Sequence, residues 1–240
     1  MRALKSEWLK LVSVRTTWGL LGAMVLIEGL AAGLATGLGD IEDLRRGNVS
    51  TFIIGTHLAT VFMFTLGALL STNEFRHGTA NSTFVMTPKR ERVILAKLAV
   101  GMAVGIVGAL LYIAVHAGLG LSILSSRGVD VDSDLAVNGY LGVGVGLVLG
   151  CLFGVGLGAL LRNQVLTIIV GLVLFLLAGT VALFIGNDVG QYFPGEALLA
   201  LQNTPNVDLL SQTDGGFVLA GYCVALGIAG MVLTREREIG

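Results

Sequence analysis

Apolar residues run along this chain in six long stretches that are separated by polar segments. The stretches cover residues 17–38, 52–71, 93–117, 140–161, 165–185 and 217–233, and the third extends towards residue 124. A helix needs roughly 20 apolar residues to cross a bilayer. We therefore predict an all-α integral membrane protein with six transmembrane helices. Only residues 162–164 separate the fourth and fifth stretches, which predicts a tight helical hairpin.

The composition excludes an ordinary soluble domain. Apolar residues make up 54% of the 240 residues and charged residues only 13%, whereas about 25% are charged in a typical soluble protein. The net charge of −1 gives no indication of a nucleic-acid partner. Function therefore has to be inferred from where the few polar residues lie.

The basic residues are distributed unevenly between the two sides that six spans define. One side carries 12 of the 15 lysines and arginines. They are Arg2, Lys5, Lys10, Arg15, Arg76, Lys89, Arg90, Arg92, Lys97, Arg162, Arg235 and Arg237. Since cytoplasmic segments carry the excess of basic residues, both termini and the loop after the second span are predicted to be cytoplasmic.

Residues 1–16 fit an amphipathic helix that lies at the cytoplasmic membrane surface, ahead of a transmembrane domain over 17–240. One face carries Met1, Leu4, Trp8, Leu11 and Val12, and the opposite face carries Arg2, Ser6, Lys10 and Ser13. Such a helix places its apolar face in the lipid and its cations on anionic headgroups. The alternative is a short cytosolic extension of the first span.

The outer region 186–216 contains a short apolar helix, 194–201, with a proline at its start, a favoured first helical residue. We expect this helix to enter the membrane as a re-entrant segment before the sixth span. It could act as a lid over a pathway or as a packed cap on the bundle.

Glycines recur every fourth residue along the fourth span. This glycine rail consists of Gly142, Gly146, Gly150, Gly154 and Gly158. Small residues at this spacing let another helix approach to backbone contact. The rail predicts dense packing within one protomer, with a sliding surface or a subunit interface as alternatives.

Several polar residues lie inside the predicted spans, where they are costly and often functional. Glu28 is mid-way along the first span, and Thr56, His57 and Thr60 lie early in the second, with Phe64 one turn further. His116 lies late in the third span. These residues suggest a substrate or ion pathway; the alternative is that each makes one internal polar contact.

No motif of an enzyme active site occurs in the chain. HExxH, GxSxG and the phosphate-binding GxxxxGK[ST] are all absent from the sequence, and no metal site is predicted. Because the chain has no phosphate-binding loop of its own, energy for any work would come from another subunit.

The loop 72–92 is long and polar for a connection between two spans. Gly78 is expected to end the second helix, Thr79 to cap a short helix over 80–86, and Pro88 to end that helix. Lys97 is expected to snorkel to the surface. Phe84 and Val85 would then face the cytosol, which suits a protein partner; the alternative is a plain loop with lipid-binding cations.

This loop resembles the one after the second span in permease subunits of the type-2 ABC (ATP-binding cassette) transporter family. The likeness rests on Glu74, then Gly78-Thr79, then Pro88 with basic residues, and Ala96-Lys97 at the third span. Residues 6–18 are similar to actinobacterial members of that family. The resemblance implies a bacterial plasma-membrane exporter that works as a dimer of two identical permease protomers.

The resemblance also implies roles for individual residues. The loop would dock a cytosolic ABC ATPase dimer, which would bind ATP and Mg²⁺, and the permease would bind no cofactor. The coupling interface would comprise Glu74, Phe75, Arg76, Gly78, Thr79, Ser82, Phe84, Val85, Pro88 and Arg90, with Phe84 as its central contact. Spans two and five would line the substrate path between protomers, through Thr56, His57, Thr60, Phe64 and Phe175, with Glu28 nearby.

The substrate is expected to be apolar or amphiphilic, such as a drug, a peptide antibiotic or a lipid, because few charges lie inside the spans. Glu28 also allows extrusion of a cation, Na⁺ or H⁺. Two other functions fit the same features: a non-transporting membrane scaffold or assembly protein that binds a partner through the loop, and a passive pore.

Overall fold

Helices make up almost all of the described chain. The computed structural model describes residues 2–40, 56–79, 90–129, 133–177, 179–180, 184, 186–202 and 210–236. In chain order the helices are α1 (Arg2–Ser13), α2 (Arg15–Leu38), α3 (Thr56–Arg76), α4 (Arg90–Ser126), α5 (Ser133–Leu161), α6 (Gln164–Leu176), α7 (Asn187–Gly190), α8 (Pro194–Leu201) and α9 (Gln212–Glu236).

Five of these helices, α2, α3, α4, α5 and α9, are long and apolar enough to cross a membrane. The protein is therefore a multi-pass membrane protein by the length and composition of its helices. The predicted fifth span, 165–185, corresponds to α6, which has 13 residues and ends at Leu176. The five long helices thus correspond to five of the six predicted spans, and a sixth span at 165–185 stays a prediction.

Local sequence signals determine where several helices end. Gly78 has φ +66°, and the amides of Gly78 and Thr79 donate to the carbonyls of Phe75 and Glu74. This pair of bonds is a Schellman motif, which needs a left-handed residue after the helix. The predicted role of Gly78 in ending the second spanning helix is confirmed.

The turn between α5 and α6 is as short as predicted. Arg162 adopts φ +53°, and the side chain of Asn163 accepts a hydrogen bond from the amide of Leu166 at 3.0 Å. An asparagine at the N-cap satisfies an otherwise unpaired amide of the first turn. Two residues are therefore enough to reverse the chain.

α5 is the central helix and packs against α3, α4 and α9. Its glycine rail faces other parts of the same chain. A Cβ on Gly150 would approach the Thr60 side chain to 2.6 Å, and a Cβ on Gly154 would approach the amide nitrogen of Ala68 to 2.8 Å. Removing the side chains therefore lets the backbones of α3 and α5 touch. Gly142 and Gly146 face α8 instead.

The two ends of the bundle differ in charge. The basic end contains α1, the last turn of α3, the first turns of α4, the α5–α6 turn and the end of α9. The acidic end contains α8 and the first turns of α3, α5 and α9, and its acidic residues include Asp134, Glu196 and Asp214. A hydrogen bond from Gln202 to Thr60, 3.4 Å long, joins α8 to α3 at this end.

α8 begins at Pro194, as predicted, and nearly every one of its side chains is buried. It packs mainly against α9 and also against α5 and α6. Burial raises the pKa of the Glu196 carboxyl above its ordinary value, because desolvation disfavours the charged form. Residues 203–209, within the predicted outer region 186–216, lie outside the described residues, and entry of α8 into a membrane stays a prediction.

Candidate functional site

Four charged side chains meet at the basic end of the bundle and form what we call the charged junction. They come from three elements that are far apart in the chain: Glu7 and Lys10 from α1, Glu74 from the last turn of α3, and Lys97 from the second turn of α4. The junction therefore ties the N-terminal helix to two spanning helices.

The acids and bases of the charged junction alternate. The Lys97 Nζ lies 2.6 Å from Glu7 Oε2 and 3.3 Å from Glu74 Oε2, and it also donates to the Leu70 carbonyl at 3.0 Å. The Lys10 Nζ lies 2.7 Å from Glu7 Oε1 and also bonds Glu74 Oε1. Each ammonium thus contacts both carboxylates, and the four formal charges cancel.

The members of the junction differ in exposure. Lys97 and both carboxylates are almost completely buried, whereas the Lys10 side chain is 43% exposed. Burial alone would lower the pKa of Lys10, but its bonds to Glu7 and Glu74 outweigh that effect and raise the pKa above the ordinary value. Lys10 therefore stays charged and closes the junction on its solvent side.

One expectation for this region is wrong. Lys97 does not snorkel to the surface, because the two carboxylates bind it inside the bundle. α1 turns Glu7 and Leu11 towards the bundle, whereas Leu4 and Trp8, on the side predicted to face lipid, are 46% and 41% exposed. The ion pairs of Glu7 decide this rotation, because a buried carboxylate requires its partners.

The half-exposed side of α1 lies over α4. Leu4, Lys5 and Trp8 line a groove with Ala99, Val100 and Ala103. This arrangement keeps large apolar side chains of α1 beside the apolar surface of a spanning helix. It is consistent with a helix that lies at a membrane surface.

The two residues after Glu74 connect α3 to other helices at the basic end. The guanidinium of Arg162 lies 5.5 Å from the centre of the Phe75 ring, a distance typical of a cation–π contact, and it donates to the Leu233 carbonyl at 3.0 Å. Arg76 donates to Gln164 Oε1 at 3.2 Å. The end of α3 is therefore held by α6, α9 and the α5–α6 turn as well as by the charged junction.

A cavity of about 540 Å³ opens beside the charged junction. Its polar wall includes Lys10, Glu74 and Arg76, and its apolar wall includes Leu66 and Leu69 of α3. The start of α6 also reaches it through Gln164. An amphiphilic molecule would find both kinds of surface here.

Part of the predicted coupling interface surrounds this junction, and part lies elsewhere. Glu74, Phe75, Arg76, Gly78 and Thr79 form the end of α3 and its cap. Ser82, Phe84, Val85 and Pro88 lie outside the described residues, as does the side chain of Arg90. Glu7 and Lys10 were missed as partners, although an acid on a basic helix and a lysine inside a span were signals of a pair.

The predicted pathway residues do not form one group. Phe64 and Phe175 pack together in the core with ring centres 5.7 Å apart, and Phe153 contacts both. Thr60 is buried at the acidic end beside Gln202. Glu28 is buried between α2 and its neighbours. The side chains of Thr56 and His57 lie outside the described residues.

The match to a known protein family covers all four residues of the charged junction. A family model described as "ABC-2 family transporter protein" matches residues 3–178, well over half of the 240 residues. The match includes nearly all of α1 and continues through α6. No curated protein gives a significant match. The chain therefore belongs to the ABC-2 transporter family, as the membrane component of such a transporter.

Proposed function

We propose that this protein is the permease subunit of an ATP-driven exporter in the bacterial plasma membrane. It works with a separate cytosolic ABC ATPase dimer that binds ATP and Mg²⁺, and it pairs with a second, identical permease protomer. The exported substrate is apolar or amphiphilic, in the class of drugs, peptide antibiotics or lipids. The observation that carries the proposal is the charged junction at the foot of the predicted coupling loop, in a chain of this family.

The orientation in the membrane follows from the charge difference between the two ends. Arg76, Arg92 and Arg162 lie at the basic end, together with the cations of α1 and Arg235 of α9. Basic residues accumulate on the cytoplasmic side of membrane proteins. The basic end, both termini and the loop 80–89 therefore face the cytoplasm, where an ATPase is available.

The charged junction supplies a rigid connection for force that arrives at the loop. The loop 80–89 starts directly after the Schellman motif of Gly78 and Thr79, six residues from Glu74. Glu74 is held by Lys97 of α4 and by Lys10 of α1. Buried ion pairs are costly to separate, so a displacement of the α3 end would move α1 and α4 with it.

The cavity beside the junction supports an amphiphilic substrate. It has charged and apolar walls and is lined mainly by α1, the start of α2 and α3, with Gln164 of α6 also on its wall; α3 and α6 correspond to the predicted second and fifth spans. A molecule with a polar head and an apolar body would contact both walls from the cytoplasmic side. We propose that this cavity is where such a substrate first enters the protein.

The experiment is reconstitution of the protein with the ABC ATPase that co-purifies with it, in lipid nanodiscs and in cells. We expect the permease to change the rate of ATP hydrolysis and cells to export a substrate that accumulates without it. Phe84→Asp should abolish both effects, because a charge at the loop tip opposes an apolar docking contact. Phe84→Leu is the matched control and should retain them.

Two results would overturn the proposal. One is an ATPase that binds the protein while hydrolysis and export never respond, which would favour the scaffold function. The other is full export by Phe84→Asp, which would remove the loop tip from the coupling interface.

A further inference from the structure

A second buried polar cluster lies between α2, α4 and α5, away from the charged junction. It consists of Glu28, Tyr112, His116 and Tyr140, and we call it the Glu28 cluster. Glu28, Tyr112 and His116 are each 1% exposed. At about 1.5 Å per residue along α4, the cluster lies roughly 25 Å from Lys97, so it belongs to the opposite half of the bundle.

Three aromatic rings of the cluster form a continuous path. Tyr112 and His116 are one turn apart on α4, and their rings stack with centres 4.9 Å apart. His116 Nδ1 and the Tyr140 hydroxyl are 3.2 Å apart, within hydrogen-bond distance. Tyr140 lies in the second turn of α5, at the acidic end. The path therefore leads from the middle of the bundle towards that end.

Glu28 lies at the inner end of this path, and its charge is not compensated by the described side chains. No described side chain donates a hydrogen bond to the carboxyl group of Glu28, and the hydroxyl of Tyr112 has no hydrogen-bond partner within the described part of the chain. α2 and α4 are close here: a Cβ on Gly29, the residue after Glu28, would lie 3.2 Å from the side chain of Val115, which falls between Tyr112 and His116 on α4.

The charged and titratable groups around Glu28 can be named helix by helix. α3 presents the backbone N–H of Ala59, and the His57 side chain lies outside the described residues. α4 presents Tyr112, with His116 behind it. Arg127 of α4 binds the carbonyls of Thr36 and Gly39 at 2.6 and 2.8 Å, and Thr36 is about 12 Å along α2 from Glu28.

A carboxylate in such a place requires a positive charge. Burying an ionised carboxylate without a partner costs several kcal/mol, roughly, and in a membrane span the usual solution is protonation or pairing. A partial positive charge from one amide does not neutralise it. We propose that the Glu28 cluster binds one monovalent cation, a proton or an alkali ion, which enters from the acidic end.

The residues of the cluster have distinct parts in this site. The Glu28 carboxyl carries the compensating negative charge, and the Tyr112 hydroxyl supplies a second oxygen. His116 stacks on Tyr112 and bonds Tyr140, so it fixes the orientation of the Tyr112 ring and connects it to the acidic end. The site is independent of the coupling loop, and it would stand if the exporter proposal failed.

The test uses N,N′-dicyclohexylcarbodiimide, a lipid-soluble reagent, on the purified full-length protein in nanodiscs. The proton of a carboxylic acid moves to a carbodiimide nitrogen as the carboxylate oxygen adds to the central carbon. The adduct then rearranges to a stable N-acylurea that mass spectrometry can locate. Ionised and ion-paired carboxylates, such as those of the charged junction, react poorly.

We expect Glu28 to be labelled, and the labelling to fall by about tenfold per pH unit above its midpoint, since the protonated fraction does so. Protection by Na⁺ or K⁺ at constant pH and ionic strength, relative to choline, identifies an alkali ion as the ligand. Dependence on pH alone identifies a proton. Either result supports the site.

Variants distinguish a cation site formed by the whole cluster from a single buried carboxyl group. Glu28→Gln should lose the label, and Tyr112→Phe should shift the pH midpoint or remove the ion protection. Tyr222→Phe, a change at a partly exposed tyrosine of α9, should behave like the wild type. Labelling that ignores pH and ions, no labelling of Glu28 at any pH, or an unchanged profile in Tyr112→Phe would overturn the proposal.

Discussion

The ammonium group of Lys97 lies 2.6 Å from the carboxylate of Glu7, although 90 residues separate them in the chain. The contact joins the N-terminal helix to a spanning helix inside the bundle. Both side chains are almost completely buried, so water cannot replace either partner. The pair therefore fixes the rotation of α1 as well as its position.

Removing Lys97 should destabilise the protein strongly. Lys97→Met leaves Glu7 and Glu74 buried with Lys10 as their remaining base in the junction, and breaking a buried pair typically costs about 3–5 kcal/mol. Thermal unfolding of the detergent-solubilised protein, monitored as the loss of monodisperse protein, measures the effect. We also expect the ATPase response to fall, because α4 is then released from the end of α3.

Three further variants show whether the loss of charge pairing causes the destabilisation by Lys97→Met. Lys5→Met removes an exposed cation of α1 and should change stability by less than about 0.5 kcal/mol. Lys10→Met should cost less than Lys97→Met, because the Lys10 side chain is 43% exposed and water can reach the place that it leaves. Glu7→Gln combined with Lys97→Met should cost less than the sum of the single changes. Additive costs would argue against the pair.

The backbone contact between α3 and α5 should be sensitive to a single methyl group. A Cβ on Gly154 would lie 2.8 Å from the amide nitrogen of Ala68, and backbone cannot move aside as a side chain can. We expect Gly154→Ala to cost about 1–3 kcal/mol, as overpacking does. Thermal unfolding in detergent measures this cost.

Gly221→Ala is the matched control in α9, where a Cβ would meet nothing within 4 Å. Alanine has the higher helix propensity, so this variant should be neutral or slightly more stable. Equal behaviour of the two variants would contradict close packing along the glycine rail.

The cap of α3 should depend on its left-handed glycine. Gly78 has φ +66°, and alanine in that conformation costs roughly 1–2 kcal/mol. Gly78→Ala should therefore loosen the Schellman motif and weaken ATPase coupling, whereas Gly78→Asn should retain most of it, since asparagine tolerates this conformation. Hydrogen exchange of the Thr79 amide provides the local measurement, and similar exchange in both variants would contradict the prediction.

The sequence was a good guide to helices and a poor guide to charged contacts. Long apolar runs predicted α2, α3, α4, α5 and α9, and Gly78 and Asn163 act locally, so their roles could be predicted from neighbouring residues. The pairing of Glu7 with Lys97 could not be predicted from the hydrophobic pattern, because only the fold brings these two residues together. Whether the fifth apolar run crosses the membrane is harder to predict, since α6 is short.

The glycine rail has a mechanical consequence. With Gly67 of α3 against Cys151 of α5, and Gly154 of α5 against Phe64 and Ala68 of α3, the main chains of the two helices interlock along much of their length. Two helices packed this closely would move together as one rigid unit. A push delivered at the foot of α3 would therefore tilt α5 with it, and the pivot for any opening of the protein has to lie where larger side chains separate the helices.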